Sequence, residues 1–227
     1  MSKIKRKTLR NSLKRRPTLK QAGRRILIVT EGQTEEAYFK AIQKRWKLHG
    51  MVIIKNPDCT DPESLLAYAK KENEVNSILR GHYDDIWLVY DLEKPNATER
   101  RRLSEQVKNK VEKGKTYRDF HLAISDPSFE FWYVLHYEQT TKSFTGADEV
   151  VRHLKKHWKS YEKGNTSEKE IENILSRTDT AIKNAAWVRA QLDTCQSTAP
   201  VTYVDNIWMD GTPSIHESCF STTDKEP

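Results

Sequence analysis

The chain has little cysteine and what it has is unpatterned: Cys59, Cys195 and Cys219 are an odd number at unrelated spacings. That excludes a disulfide framework and makes a reducing, cytoplasmic setting the expectation. There is no CxxC pair and no closely spaced histidine cluster of zinc-site type, so His49, His82, His121, His153 and His157 read as surface or half-buried residues. No apolar run approaches the roughly 20 residues that a membrane span requires. The N-terminus lacks the apolar core of a secretory signal. P-loop, dinucleotide-binding glycine pattern, nucleophile-elbow serine and HExxH are all absent, which removes the commonest enzyme classes.

What is present is charge, unevenly placed. The 227 residues carry a formal net charge of +7. Met1 to Arg25 holds eleven Lys or Arg and no acid, so the remainder carries 7 − 11 = −4. A like-charged segment cannot bury enough apolar surface to fold alone, and counterion release draws it to a polyanion. Lys5, Arg6, Lys7, Arg10, Lys14, Arg15 and Arg16 are therefore candidate nucleic-acid contacts. The alternative is a solubilising leader with no specific partner.

Beyond the basic segment, strands and helices alternate. Arg25-Ile26-Leu27-Ile28-Val29-Thr30 is a short β-branched apolar run of the kind buried on both faces of a parallel sheet, and it ends at Glu31-Gly32. Thr34 to Leu48 follows at helical spacing, with Thr34 as a plausible cap. Met51 to Ile54 is a short strand candidate. Asp61-Pro62-Glu63 is a helix start, combining a cap, a first-turn proline and an acid at the positive dipole end, with the helix running to about Leu79. Asp85 to Tyr90 is the next buried strand, ending at Asp91-Leu92-Glu93, before a helix from near Ala97. Phe120 to Ile124 is another, and Ser125-Asp126-Pro127 then opens a helix bearing Phe129, Phe131 and Trp132.

This alternation predicts an α/β fold with a mostly parallel sheet, right-handed crossovers and helices on both faces. After Gly146 only helical patterns remain (Ala147 to Tyr161, Lys169 to Leu175, Asp179 to Leu192), with one possible strand at Val201 to Val204. The expected organisation is a basic disordered arm over 1–24, an α/β domain over 25–145, a helical extension or subdomain over 146–215 and a disordered tail over 216–227.

Ligands collect at the carboxyl ends of the strands of an open parallel sheet. Three strand candidates here end in acids: Glu31, then Asp91 with Glu93, then Asp126 with Glu130 one turn into a helix. Carboxylates held together repel at low dielectric, so such a cluster calls for a cation, and hard oxygen donors suit Mg2+ or Mn2+. That metal would polarise a phosphodiester and activate water. The alternative is structural, since acids are favourable at helix N-termini and Glu31 or Asp91 could cap a helix. Glu130 could equally bind its own helix start or a neighbouring Arg, and His136 reads as structural.

The residues carry a family resemblance. Thr30-Glu31-Gly32-Gln33-Thr34-Glu35-Glu36-Ala37-Tyr38-Phe39 is similar to the TEGxxTExxYF opening of the RloB family. Val89-Tyr90-Asp91-Leu92-Glu93 falls at that family's second acidic motif. Ser125-Asp126-Pro127-Ser128-Phe129-Glu130-Phe131-Trp132 with Leu135-His136-Tyr137 resembles its SxPxFExW and LH(F/Y) segments, and Asp210 to His216 resembles its C-terminal PSTxVH stretch more distantly. The resemblance implies a Toprim-like fold shared with topoisomerases, primases and overcoming-lysogenization-type nucleases. By it, Glu31 would be a general acid/base or metal ligand, and Asp91 and Glu93 metal ligands. Glu93 departs from the aspartate usual there, which lengthens one ligand arm. Glu130 belongs to a characteristic motif and joins the candidate catalytic set, while the match raises Glu35, a first-turn acid, only slightly.

The implied activity is a Mg2+-dependent endonuclease cleaving RNA or DNA in antiphage defence or abortive infection. An AAA-type ATPase is the implied partner, and a homo-oligomer is an open expectation. The rival reading is a non-catalytic nucleic-acid-binding or sensor subunit of such a system. A phosphotransfer receiver fits less well, for want of a strand-end Lys.

Overall fold

The computed structural model describes residues 24–59, 61–92, 97–194 and 200–209. Five strands form one sheet: β1 (Ile26–Thr30), β2 (Val52–Lys55), β3 (Asp85–Asp91), β4 (Phe120–Asp126) and β5 (Val201–Thr202). Their order is β2-β1-β3-β4-β5, with the first four mutually parallel and β5 antiparallel to β4. The helices are α1 (Gln33–Arg45), α2 (Pro62–Arg80), α3 (Ala97–Lys113), α4 (Glu130–Leu135), α5 (Ala147–Leu154), α6 (Glu168–Leu175), α7 (Thr178–Thr194) and α8 (Asn206–Met209). The α/β architecture expected from the alternating pattern is the one observed.

Every residue of β1 and β3 is buried, which explains why neither run alternates apolar with polar. Ile26, Ile28, Trp87, Val89 and Ala123 face one side and share a core with α1, α4, α5, α6 and α7. Leu27, Val29, Ile86, Leu88 and Tyr90 face the other and pack on Leu65, Leu66 and Ala69 of α2 and Val107 of α3. Successive side chains of a strand point to opposite faces, so these sequential residues supply both cores. The helices after Gly146 bury Val150, Leu154, Ile171, Leu175, Ala181 and Val188 in the first of the two cores, together with the sheet residues.

Local differences from the sequence reading have identifiable causes. Asp61 caps α2 as expected, its side chain accepting from the Ser64 N–H at 2.9 Å. Thr34 does not cap α1: Gly32 is the N-cap, and Thr34 is a buried residue inside the helix whose carbonyl accepts from the Tyr133 hydroxyl at 3.3 Å. The amphipathic stretch from Ala147 to Tyr161 is helical only to Leu154. Beyond it, Trp158 and Tyr161 turn in to meet the Tyr133 ring at 5.5 and 5.8 Å, a contact that one continuous helix would not serve.

The topology places a switch point. From β1 the chain moves outward to β2, then returns past β1 to β3, so the strand order reverses between β1 and β3. Ligands of open α/β sheets bind at the carboxyl ends of the strands at that switch point. Here those ends are Thr30-Glu31 and Asp91.

Candidate functional site

The acids of the strand ends converge with two that the sequence weighted less. Glu31 leaves β1 with its N–H donating to the Val89 carbonyl at 3.1 Å, which fixes it beside the end of β3. Its carboxylate pairs with Arg100 of α3, and both side chains are nearly excluded from solvent. Asp91, the last residue of β3, is 7% exposed, and its carbonyl accepts from the Arg100 Nε. Glu130, the first residue of α4, is fully buried. Its Oε1 accepts from the Tyr161 hydroxyl at 2.9 Å and lies 3.4 Å from the Lys163 ammonium.

Glu35 completes the group. It sits in the first turn of α1 but is 4% exposed, so it is not a solvated acid at the dipole end. The carboxylate lies against Gly32, where a Cβ would stand 2.5 Å from Glu35 Oε2. Gly32 has ordinary extended backbone, φ −119° and ψ 165°, so the requirement for glycine there is space rather than conformation. The TEG motif thus supplies an acid and also the gap for a second acid three residues on.

The electrostatics show what the arrangement costs. Burial pushes the Glu35 carboxyl up from 4.5 to about 7, with the Glu130 and Glu31 charges adding to it. Asp91 is held well above the ordinary carboxylate range, first by burial and then by Glu35 and Glu130. Burial alone would lower the Lys163 ammonium, but Glu130 and Asp91 outweigh it and raise it. Four carboxylates (Glu31, Glu35, Asp91, Glu130) face two cations (Arg100, Lys163), a formal excess of 4 − 2 = 2 negative charges among the described residues. Asp91 Oδ1 and Glu130 Oε2 are buried without a hydrogen-bond partner among those residues. Buried polar atoms are rarely left so, and orphaned carboxylate oxygens beside an unbalanced charge of two suit a hard divalent cation. As hard oxygen donors these groups suit Mg2+ or Mn2+ in kind, but among the described residues no three of them bring donor atoms within 4.8 Å of one another.

Of the residues singled out from sequence, Glu31, Asp91 and Glu130 are brought together. Asp126 is not: it turns outward, and both its oxygens accept from the one Arg101 Nη2, each at 3.0 Å. Glu93, the arm residues Lys5 to Arg16 and the segment Asp210 to His216 lie outside the described residues. His136 is structural, as expected. Its Nδ1 donates to the Trp132 carbonyl at 2.9 Å, Nε2 lies 3.3 Å from the Tyr38 hydroxyl, and burial lowers it to about 4. Sequence reasoning missed Arg100, Tyr161 and Lys163. The last two lie in the irregular turns after α5, where no periodic signal marks them.

A family model described as RloB-like protein matches residues 26–208. The chain belongs to the RloB-like family. That match reaches from β1 to α8 and so takes in every element that contributes to the acidic cluster, including the turn carrying Tyr161 and Lys163 of this RloB-like chain. Searches of curated proteins and of solved structures find no match for it. No helix among its described residues is long and apolar enough to cross a membrane.

Proposed function

We propose that this RloB-like protein is a metal-dependent phosphodiesterase, an endonuclease acting on RNA or DNA in antiphage defence. The observation that carries the reading is the buried acidic cluster at the switch point, with two orphaned carboxylate oxygens and two carboxyls, Glu35 and Asp91, whose ionisation the fold opposes. The Toprim-like resemblance points the same way, since it assigns metal-dependent phosphodiester chemistry to Glu31, Asp91 and Glu93. Asp91, Glu130, Glu31 and, by the resemblance, Glu93 would hold Mg2+ or Mn2+. Bound there, the ion would supply charge for a phosphodiester oxygen and acidify a water.

The chain's own groups divide the remaining work. Glu35, whose carboxyl burial and the neighbouring Glu130 and Glu31 charges raise in the metal-free cluster, is placed to accept or return a proton. Lys163 carries positive charge into the same space and would meet a phosphate oxygen. Arg100 holds Glu31 and the Asp91 backbone in register, so it acts as a positioning residue. The basic N-terminal segment would add sequence-independent attraction to the phosphate backbone, and an AAA-type ATPase is the partner that would govern access.

The test is cleavage of labelled tRNA and plasmid DNA with Mg2+ or Mn2+, comparing the natural protein with Glu31→Gln and Asp91→Asn, alone and with an adjacent ATPase. Metal-dependent cutting that both substitutions abolish is the expected result. No cutting under any condition, with nucleic-acid binding intact, would replace the nuclease by a sensor subunit whose Glu31 serves only its ion pair with Arg100.

A further inference from the structure

Two of the histidines that read as unremarkable surface residues meet a carboxylate. His153 is in the last turn of α5, and His157 follows it by four residues, in the turn that continues α5, where its N–H donates to the Leu154 carbonyl at 2.9 Å. The turn after α5 keeps both rings on the side of Glu138, each within hydrogen-bond distance of its carboxylate. Glu138 lies just beyond α4, its N–H bonded to the Val134 carbonyl at 3.1 Å. Its carboxylate takes His153 Nε2 on Oε1 at 2.6 Å and His157 Nε2 on Oε2 at 2.9 Å.

We infer that Glu138, His153 and His157 form a second metal site, for a borderline-soft ion of the zinc type, separate from the acidic cluster. One donor atom from each of the three residues lies within 4.8 Å of the others. In a tetrahedral zinc site with bonds of about 2.0 to 2.1 Å, donor atoms are separated by about 3.4 Å. The two carboxylate–imidazole contacts, at 2.6 and 2.9 Å, therefore need to open by less than about 1 Å to admit the ion. Two imidazole nitrogens with one carboxylate select against hard Mg2+, which prefers oxygen and retained water, and favour zinc.

The rings are already oriented for it. His157 stacks on Tyr137, 5.3 Å between centroids at 10°, and Phe144 meets His153 edge-on at 5.3 Å. Both Nε2 atoms are turned toward the carboxylate, and a metal there would leave each imidazole neutral with its proton on Nδ1. His153 Nδ1 is buried with no partner among the described residues, so no acceptor awaits that proton. Three protein ligands, one of them without outer-shell support among the described residues, make an open site completed by water rather than a closed structural one. The side chains are exposed by 29% at Glu138, 10% at His153 and 30% at His157, which leaves the fourth position facing solvent. The bound ion would clip α5 to the end of α4, the helix whose first residue is Glu130.

The test uses the tag-free full chain, stripped with chelator, titrated with Zn2+ by calorimetry and with Co2+ as a visible-absorbing probe. One zinc per chain is expected, with the four-coordinate cobalt spectrum. Binding should be unchanged in Asp91→Asn and at least about 100-fold weaker in both His157→Asn and Glu138→Gln. His157 is partly exposed and Glu138→Gln keeps a carbonyl acceptor, so both variants should fold, and circular dichroism checks that they do. Failure of the folded natural protein to bind zinc, or equal binding by both variants, overturns the site. Loss of zinc in Asp91→Asn instead would assign the ion to the acidic cluster and equally reject it.

Discussion

Replacing Glu35 by glutamine should change how stability depends on pH in the metal-free protein. In the fold, burial and the neighbouring Glu130 and Glu31 raise this carboxyl from 4.5 to about 7. A folded-state value above the unfolded one means that the native protein holds a proton which the unfolded chain releases. The associated stability is complete below about pH 4.5, drains as pH rises, and is gone above about pH 7. At about 1.4 kcal/mol per tenfold in proton affinity, the whole effect is about 3 kcal/mol, most of it between pH 5 and pH 8. Glu35→Gln has the same shape and no titration, so its stability relative to the natural protein should rise by that amount across the interval. In a domain of this size, an effect of about 2 to 3 kcal/mol corresponds to roughly 5 to 10 °C in Tm. Thermal melts of both proteins at the two pH values, in EDTA, make the comparison. Parallel curves, with the Tm difference constant between the two pH values, would refute the buried, charge-crowded position of Glu35.

Two other predictions follow from the same geometry and charge. Gly32→Ala should displace the Glu35 carboxylate, because the new Cβ would stand 2.5 Å from its Oε2; the expected outcome is a stability change of about 1 kcal/mol by denaturant melt with a loss of the proposed nuclease activity of about 100-fold, the cost of misplacing a reacting group by about an ångström. Deleting Met1 to Gly23 removes nine of the eleven cations of the basic segment and leaves Arg24, whose guanidinium pairs with Asp85 at 2.7 Å. Nucleic-acid affinity measured against salt should then fall at every concentration, with the log–log slope flattened by up to about 8, while any cleavage pattern stays the same.

The outcome of each sequence reading depended on how local its signal was. The β-branched runs at Ile26 to Thr30 and Asp85 to Tyr90 identified both central strands, since only residues buried on two faces are apolar throughout. Asp61-Pro62 located the start of α2 because capping is settled within one turn. Family motifs marked Glu31, Asp91 and Glu130. Glu35 was underrated because a first-turn acid is favourable at any helix start, and the covering that buries it comes from elements far along the chain.

By itself, then, the sequence determined the α/β class, the central strands, the acids at their ends and the family, all of which are written in contiguous residues. The tertiary structure alone decided that Glu35 joins the cluster and that Arg100 holds Glu31. It also decided that Tyr161 and Lys163 reach Glu130 from a turn, and that Glu138 gathers His153 and His157. Glu31 and Glu130 are 99 positions apart, and they come to one end of the sheet only because β1, β3 and β4 lie side by side in it. Periodicity records which face of an element is buried; which other element covers that face, and so which charges meet there, is set by topology.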